Sequence, residues 1–200
     1  MSKGRRTVKH TGILMGMELG VRVLDALVAI TLARYLAPQG FGLLAFAISF
    51  SWIFSILPGF GMGSLVTRNL ARDPQELSRY VSNGLIAKLL LALTTLVLMA
   101  LTSWILRYSP EKCTIVFIAA LLMILETNVR SILSFFQAAL RMNEVAVVNL
   151  AVRVGWVGGS LIVMGFKGGV TDLLWARVFT TGVGLVVSVW LINRFLQKIR

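Results

Sequence analysis

Six long apolar stretches, separated by short polar or glycine-rich connections, constrain this chain more than any other feature of its sequence. A helix of about 20 apolar residues is long enough to cross the hydrocarbon core of a bilayer. With 57% hydrophobic and 14% charged residues, the chain also has too little polar surface to cover a soluble globule. The sequence therefore predicts an all-α membrane protein with six transmembrane helices. They cover about residues 12–35, 41–57, 83–106, 114–139, 145–166 and 173–192.

The basic residues are distributed unevenly among the connections, and this predicts an orientation. Eleven Lys and Arg residues lie in the two tails, residues 1–11 and 193–200, and in the second and fourth connections. The first, third and fifth connections carry only Arg107, Lys112 and Lys167. Because cytoplasmic connections carry the excess of Lys and Arg, we expect a multi-pass protein of the cytoplasmic (inner) membrane with both basic tails in the cytoplasm. The six-helix lobe between them occupies residues 12–192.

Charged residues lie inside the first predicted span. Glu18, Arg22 and Asp25 follow a spacing that places all three on one helical face. A charge that faces lipid at mid-bilayer costs about 3 kcal/mol or more, so this face is expected to meet protein or water. One interpretation is a structural ion-pair group. The other is that Arg22 contacts an anionic substrate, while Asp25 holds it in place or binds a proton or cation.

The fourth span repeats this pattern. Glu126 and Arg130 are four residues apart, so their charges can neutralise each other on one face of the helix. Ser134 and Gln137 continue the same polar stripe toward the end of the span. The stripe is long for a single ion pair, and we interpret it as a surface that faces an aqueous lumen.

The fifth span carries Arg153 without an acidic residue of its own. This arginine must pair with another helix, face water or meet an anion. Gly155, Gly158 and Gly159 follow it and predict close packing against a neighbouring helix.

The sixth span carries Arg177, which lies about 140° around the helix from Asp172, so that acid is a poor local partner. Over all spans, five cations stand against three acids, an excess of +2 that suits an anionic ligand. The five cations are Arg22, Lys88, Arg130, Arg153 and Arg177; the acids are Glu18, Asp25 and Glu126.

Several kinds of chemistry are excluded or disfavoured. The chain has one cysteine and one histidine, which rules out a disulfide framework and makes a Cys/His metal site very unlikely. It has no phosphate-binding glycine loop and no Ser/His/Asp set, so we expect neither an enzyme nor a bound cofactor. The chain has a net charge of +12, and its basic residues are found between apolar spans. This arrangement favours anionic membrane lipids over nucleic acid as partners. The basic connector at residues 63–81 is expected to lie on their head groups.

Residues 32–72 have the organisation of a membrane hairpin with recognisable motifs. They begin with Leu-Ala-Arg at 32–34, followed by a Pro/Gly turn and Phe-Gly at 41–42. An apolar run to Leu57, a glycine break and Arg-Asn-Leu-Ala-Arg at 68–72 complete the segment. This segment resembles the start of the polysaccharide and oligosaccharide flippases of the multidrug and oligosaccharidyl-lipid exporter superfamily. Phe136–Arg141 is similar to that family's exit from the fourth span.

The resemblance implies a fold and a task. Such flippases usually have twelve to fourteen spans, so the chain is expected to be the N-terminal lobe of a MATE-like transporter, working with a second lobe or as a homodimer. The implied substrate is a polyprenyl-diphosphate-linked oligosaccharide in polysaccharide biosynthesis, moved by rocking of two lobes about a central cavity. We expect four arginines to line that cavity and three acids to hold them or to couple ion movement. The arginines are Arg22, Arg130, Arg153 and Arg177; the acids are Glu18, Asp25 and Glu126.

Two alternatives remain open at this stage. The first is a non-transporting half-lobe that assembles with another membrane protein. The second is a small-molecule antiporter of the same superfamily, which is disfavoured because a basic cavity suits anions better than cationic drugs.

Overall fold

The computed structural model describes Gly20 and residues 22–59, 77–138 and 141–199, and every regular element within them is a helix. In chain order these helices are α1 (residues 22–35), α2 (Ala37–Phe54), α3 (Ile56–Gly59), α4 (Leu77–Ile105), α5 (Pro110–Ala138), α6 (Met142–Gly165) and α7 (Val170–Ile199). Glu18 and residues 60–76, which hold most of the expected interfacial connector, lie outside the described residues, as does the side chain of Lys88.

Four of these helices contain segments long and apolar enough to cross a membrane: Ala37–Phe54, Pro110–Ser134, Met142–Gly165 and Val170–Arg194. The expected all-helical, multi-pass membrane architecture is therefore confirmed. Within the described residues, α1 and the apolar part of α4, Leu90–Ile105, are shorter than this threshold. The count of six spans remains a prediction.

At three of the short connections between consecutive helices, a non-glycine residue in or next to the turn lies in the left-handed backbone region. These residues are Ala37 (φ 56°), Arg107 (φ 48°) and Lys167 (φ 54°). Ala37 precedes Pro38, and the ring of a proline disfavours helical backbone in the residue before it. The conformation of Ala37 therefore ends α1. Helix α2 begins directly after it, at Ala37, earlier than the start at residue 41 that was expected for the second span. The hydroxyl of Tyr35 donates to the carbonyl oxygen of Gly168 at 2.9 Å, which joins the first turn to the third.

Helix α5 is the centre of the bundle. Half of the residues in its apolar segment are buried, against 17–22% in the segments of α2, α6 and α7. Its N-terminal half packs on α2 and α7 through Ile115 and Ile118, and Met123 packs on α4 through Met99. Its C-terminal half packs on α6 through Phe136. A polar side chain placed on α5 can therefore face several helices at once.

Small residues bring α6 and α7 close together. Gly155 lies against Thr180, where an added Cβ would be 3.3 Å from the threonine side chain. On the other helix, an added Cβ at Gly184 would collide with Cγ2 of Val152. The packing expected from the glycines of the fifth span is thus present at Gly155 and at Gly159, whose added Cβ would lie 3.5 Å from Cβ of Ala176, whereas a Cβ at Gly158 would meet no atom within 4 Å. This close approach sets the separation of the arginines that α6 and α7 carry.

Candidate functional site

Three arginines from three helices line one open cleft of about 260 Å³. Arg130 comes from α5, Arg153 from α6 and Arg177 from α7, and Trp52 of α2 contributes to the same wall. We call this space the arginine cleft. Its polar lining also includes Glu126, Asn149, Thr180 and Thr181. Three of the four arginines that the sequence singled out are therefore neighbours in space.

Glu126 lies between two of these arginines. Its Oε2 accepts a hydrogen bond from Nη2 of Arg130 at 3.1 Å, which confirms the pairing expected from their spacing. Its Oε1 accepts from Nη2 of Arg177 at 3.2 Å, across the α5–α7 interface. Each carboxylate oxygen thus binds one guanidinium group. The Glu126–Arg177 pair was not predicted, because helical periodicity orients one helix but does not identify its neighbour.

The ring of Trp156 packs against the guanidinium group of Arg177. The guanidinium carbon of Arg177 lies 5.2 Å from the centroid of the Trp156 ring, a cation–π contact, and Trp156 is buried. Sequence reasoning missed this tryptophan. Its position three residues after Arg153 was the available signal, since that spacing places both side chains on one helical face.

Asp25 of α1 pairs directly with Arg153 of α6. Of the three alternatives for Arg153, pairing with another helix is therefore the one that the structure shows. Both side chains remain partly exposed, 33% for Asp25 and 44% for Arg153, so the pair lies at the edge of the bundle. Arg22, one turn earlier on α1, is exposed and does not belong to the described lining of the arginine cleft.

Among the residues that the structure describes, the charges in and beside the cleft do not cancel. Arg130, Arg153 and Arg177 stand against the carboxylates of Glu126 and Asp25, which leaves a formal charge of +1 for these five side chains. Arg130 is the most open of the three, with 56% of its side chain exposed. Its hydrogen bond to Glu126 uses one guanidinium nitrogen, and a guanidinium has five N–H donors. The cleft can therefore offer further donors to an anion.

The cleft lies within the depth of the spans. By helical rise, Arg177 is about 10 Å from the start of α7, Arg153 about 18 Å from the end of α6, and Glu126 about 24 Å from the start of α5. Ionised groups at such depth normally face a bundle interior or a water-filled cavity. Among the described residues, no group of three His, Cys, Asp or Glu side chains is placed to hold a metal ion. The chemistry that this arrangement offers is the binding of anions.

Nearly the whole chain matches a known protein family. A family model described as "Polysaccharide biosynthesis protein" matches residues 7–200, a range that contains all the described helices and the arginine cleft. Neither the curated proteins nor the solved structures gave a match.

Proposed function

Because the chain belongs to the polysaccharide biosynthesis protein family of flippase-like membrane transporters, we propose that it carries a lipid-linked oligosaccharide across the membrane, with the arginine cleft on the substrate path. The lipid carrier is proposed to be a polyprenyl diphosphate. The single observation that carries this proposal is the convergence of Arg130, Arg153 and Arg177 on one open cleft with a formal excess of positive charge.

The chemistry of the cleft suits a diphosphate. Guanidinium groups form bidentate, charge-assisted hydrogen bonds with phosphate oxygens, which a lysine ammonium cannot reproduce in the same geometry. Arg130 is the most exposed arginine and is proposed to make the first contact. Arg177 and Arg153 then bind the same group deeper in the cleft. Arg22, exposed on α1, is proposed to extend this basic surface along the path.

The acids are proposed to position the arginines in the absence of substrate. Glu126 holds Arg130 and Arg177, and Asp25 holds Arg153, so no guanidinium of the cleft faces an apolar medium uncompensated. A diphosphate would exchange with these carboxylates for the same donors. If the protein couples transport to ion movement, the released Asp25 and Glu126, and with them Glu18, are the candidate groups to bind a proton or cation.

The open side of the cleft is proposed to face a second lobe, supplied by another polypeptide segment or by a second copy of the chain. Two lobes that rock about a shared cavity would expose the site alternately to each side of the membrane. In the proposed orientation, both basic tails of the chain lie in the cytoplasm.

The test is complementation of a strain that lacks its own oligosaccharide flippase, with and without a co-expressed second lobe. The readout is surface polymer against lipid-linked glycan retained in the cytoplasmic leaflet. R153Q and R177Q should abolish transport at unchanged membrane levels. R141Q is the matched control, because Arg141 also pairs with a carboxylate, Glu144 at 2.7 Å, but lies outside the described lining of the cleft.

Three results would reject the proposal. Transport by R153Q and R177Q at the level of R141Q would remove the arginine cleft from the path. Glycan accumulation by the unmodified chain, even with a second lobe present, would favour a non-transporting assembly partner. Export of a cationic drug without glycan export would instead favour a small-molecule antiporter.

A further inference from the structure

A second cavity lies on another side of the bundle, between α4 and α5. It has a volume of about 750 Å³ and is lined mainly by apolar side chains, among them Leu96, Met99, Val116 and Phe117. Such a volume is within the range of small-molecule and lipid sites. We call it the apolar cavity. It is distinct from the arginine cleft, because its lining residue Ala120 lies about 120° around α5 from Glu126.

One end of the apolar cavity is basic. Arg107, in the turn between α4 and α5, contributes to its lining, together with Tyr108. Lys112 lies beside them, with Nζ 5.9 Å from the centroid of the Tyr108 ring. Trp104, also in the lining, has 78% of its surface exposed, as is common for tryptophan where a span meets the head groups. The cavity thus combines an apolar interior with a cationic mouth at the end of the spans.

We propose that the apolar cavity binds an anionic phospholipid. One acyl chain lies between α4 and α5, and the phosphate is held by Arg107 and Lys112. This site is independent of the transported substrate and of the arginine cleft. The two cations at the mouth favour a head group of net negative charge, because the choline ammonium of a zwitterionic lipid would be repelled by the cations that contact its phosphate.

The composition of the lining favours a lipid over an apolar protein helix. From Leu96 to Arg107 the lining extends about 16 Å along α4 and changes from apolar to basic along that length. A phospholipid has the same order, an apolar chain followed by an anionic phosphate. An apolar helix offers no anion to Arg107.

The chain contains its own reporter and its own control for a test. Cys113 is the single cysteine of the sequence; it is exposed, lines the apolar cavity, and its Sγ is 3.6 Å from the carbonyl oxygen of Tyr108. Lys167 provides the control. It is basic, belongs to the corresponding turn between α6 and α7, and has nearly the same backbone conformation as Arg107, φ 54° against 48°.

The experiment measures the rate at which a maleimide alkylates Cys113 in the full chain, purified in detergent, with added phosphatidylglycerol or phosphatidylcholine at equal mole fraction. We expect phosphatidylglycerol to slow the alkylation several-fold relative to phosphatidylcholine. In R107Q, the phosphatidylglycerol concentration that gives half of the maximal protection should rise about tenfold. This is the effect expected from the loss of one charge-assisted hydrogen bond. K167Q should retain it.

A second readout keeps the result independent of the reporter. Native mass spectrometry should show bound phosphatidylglycerol on the unmodified chain and on K167Q, and less of it on R107Q. Equal protection by the two lipids, or equal behaviour of R107Q and K167Q, would overturn the proposal. Protection that needs no lipid and rises with protein concentration would do so too, because it would assign the cavity to a second copy of the chain.

Discussion

Arg177 of α7 donates a hydrogen bond of 3.2 Å to Glu126 of α5, a residue 51 positions earlier in the chain. The same carboxylate accepts from Arg130 through its other oxygen. One acid therefore sets the positions of two of the three arginines in the arginine cleft, while Asp25 holds the third. The cleft depends on contacts between helices more than on the sequence of any single helix.

Glu126→Gln should destabilise the protein and reduce transport together. The substitution leaves Arg130 and Arg177 without their shared carboxylate, and the loss of a partner for partly buried charged groups costs about 1–3 kcal/mol of unfolding free energy. Thermal unfolding in detergent measures the first effect, and complementation measures the second. Glu144→Gln removes a local pair of similar exposure outside the cleft and should cost less than about 1 kcal/mol. Equal effects of the two variants would contradict this role for Glu126.

The Asp25–Arg153 pair should show a coupling energy in a double-mutant cycle. Asp25→Asn and Arg153→Gln each break the same inter-helix contact, so the double variant should lose less stability than the sum of the single ones. We expect a coupling of about 0.5–1 kcal/mol, at the low end of the range for contacting residues, because both side chains are partly exposed. The measurement is the midpoint of thermal unfolding for all four proteins. Strict additivity would mean that the pair contributes nothing to the docking of α1.

Arg177→Lys should reduce transport even though it keeps the charge. A lysine cannot bind Glu126, lie on the Trp156 ring and offer a second donor to phosphate in the way that a planar guanidinium does. The control is Arg194→Lys, because Arg194 makes a similar contact, 5.4 Å from the centroid of Trp190, outside the described lining of the cleft. In the complementation assay R177K should fall well below R194K. Full activity of R177K would show that charge alone suffices at this position.

Gly184→Ala should destabilise the α6–α7 contact by about 1–3 kcal/mol. The added methyl group meets Val152 and forces the two helices or the valine to move. Gly182→Ala, on the same helix, is the matched control, since its Cβ would meet no atom within 4 Å. This second variant should be neutral or more stable by up to about 1 kcal/mol, because alanine is the better helix former. Thermal unfolding distinguishes the two, and a reversed order would disprove the packing role of Gly184.

The distribution of basic residues predicts that the α6–α7 turn faces outward and that the α5–α6 turn faces the cytoplasm. In a C113S background, a cysteine introduced by Lys167→Cys should react with a membrane-impermeant maleimide added to intact cells. The control Arg141→Cys should react only after the membrane is permeabilised. Both positions are at least partly exposed, so access to the reagent is comparable. The opposite labelling pattern would invert the orientation.

Hydropathy and helical spacing predict the parts of this structure that depend on one helix at a time. The apolar runs predict the helices because their backbone hydrogen bonds are satisfied within each segment. The Glu126–Arg130 pair follows from a spacing of one turn. The same rules place Arg153 and Arg177 on polar faces.

Hydropathy and helical spacing could not predict the contacts between helices. Periodicity states which side of α6 carries Arg153, but the identity of the helix opposite depends on the packing of the whole bundle. For this reason the pair between Asp25 of α1 and Arg153 of α6 was not predicted. Trp156 was missed because its apolar surface made it indistinguishable from lipid-facing residues of the same span.

The hydrogen bond between Tyr35 and Gly168 gives α1 a pivot. It fastens one end of the helix to the backbone of the α6–α7 turn, whereas Asp25 lies about 15 Å further along α1. With that end fixed, and with Leu32 of α1 buried in the core, we expect any separation of α1 from α6 to be greatest near Asp25. A rotation of about 10° about the Tyr35 end would move the Asp25 carboxylate by roughly 3 Å, enough to break its contact with Arg153.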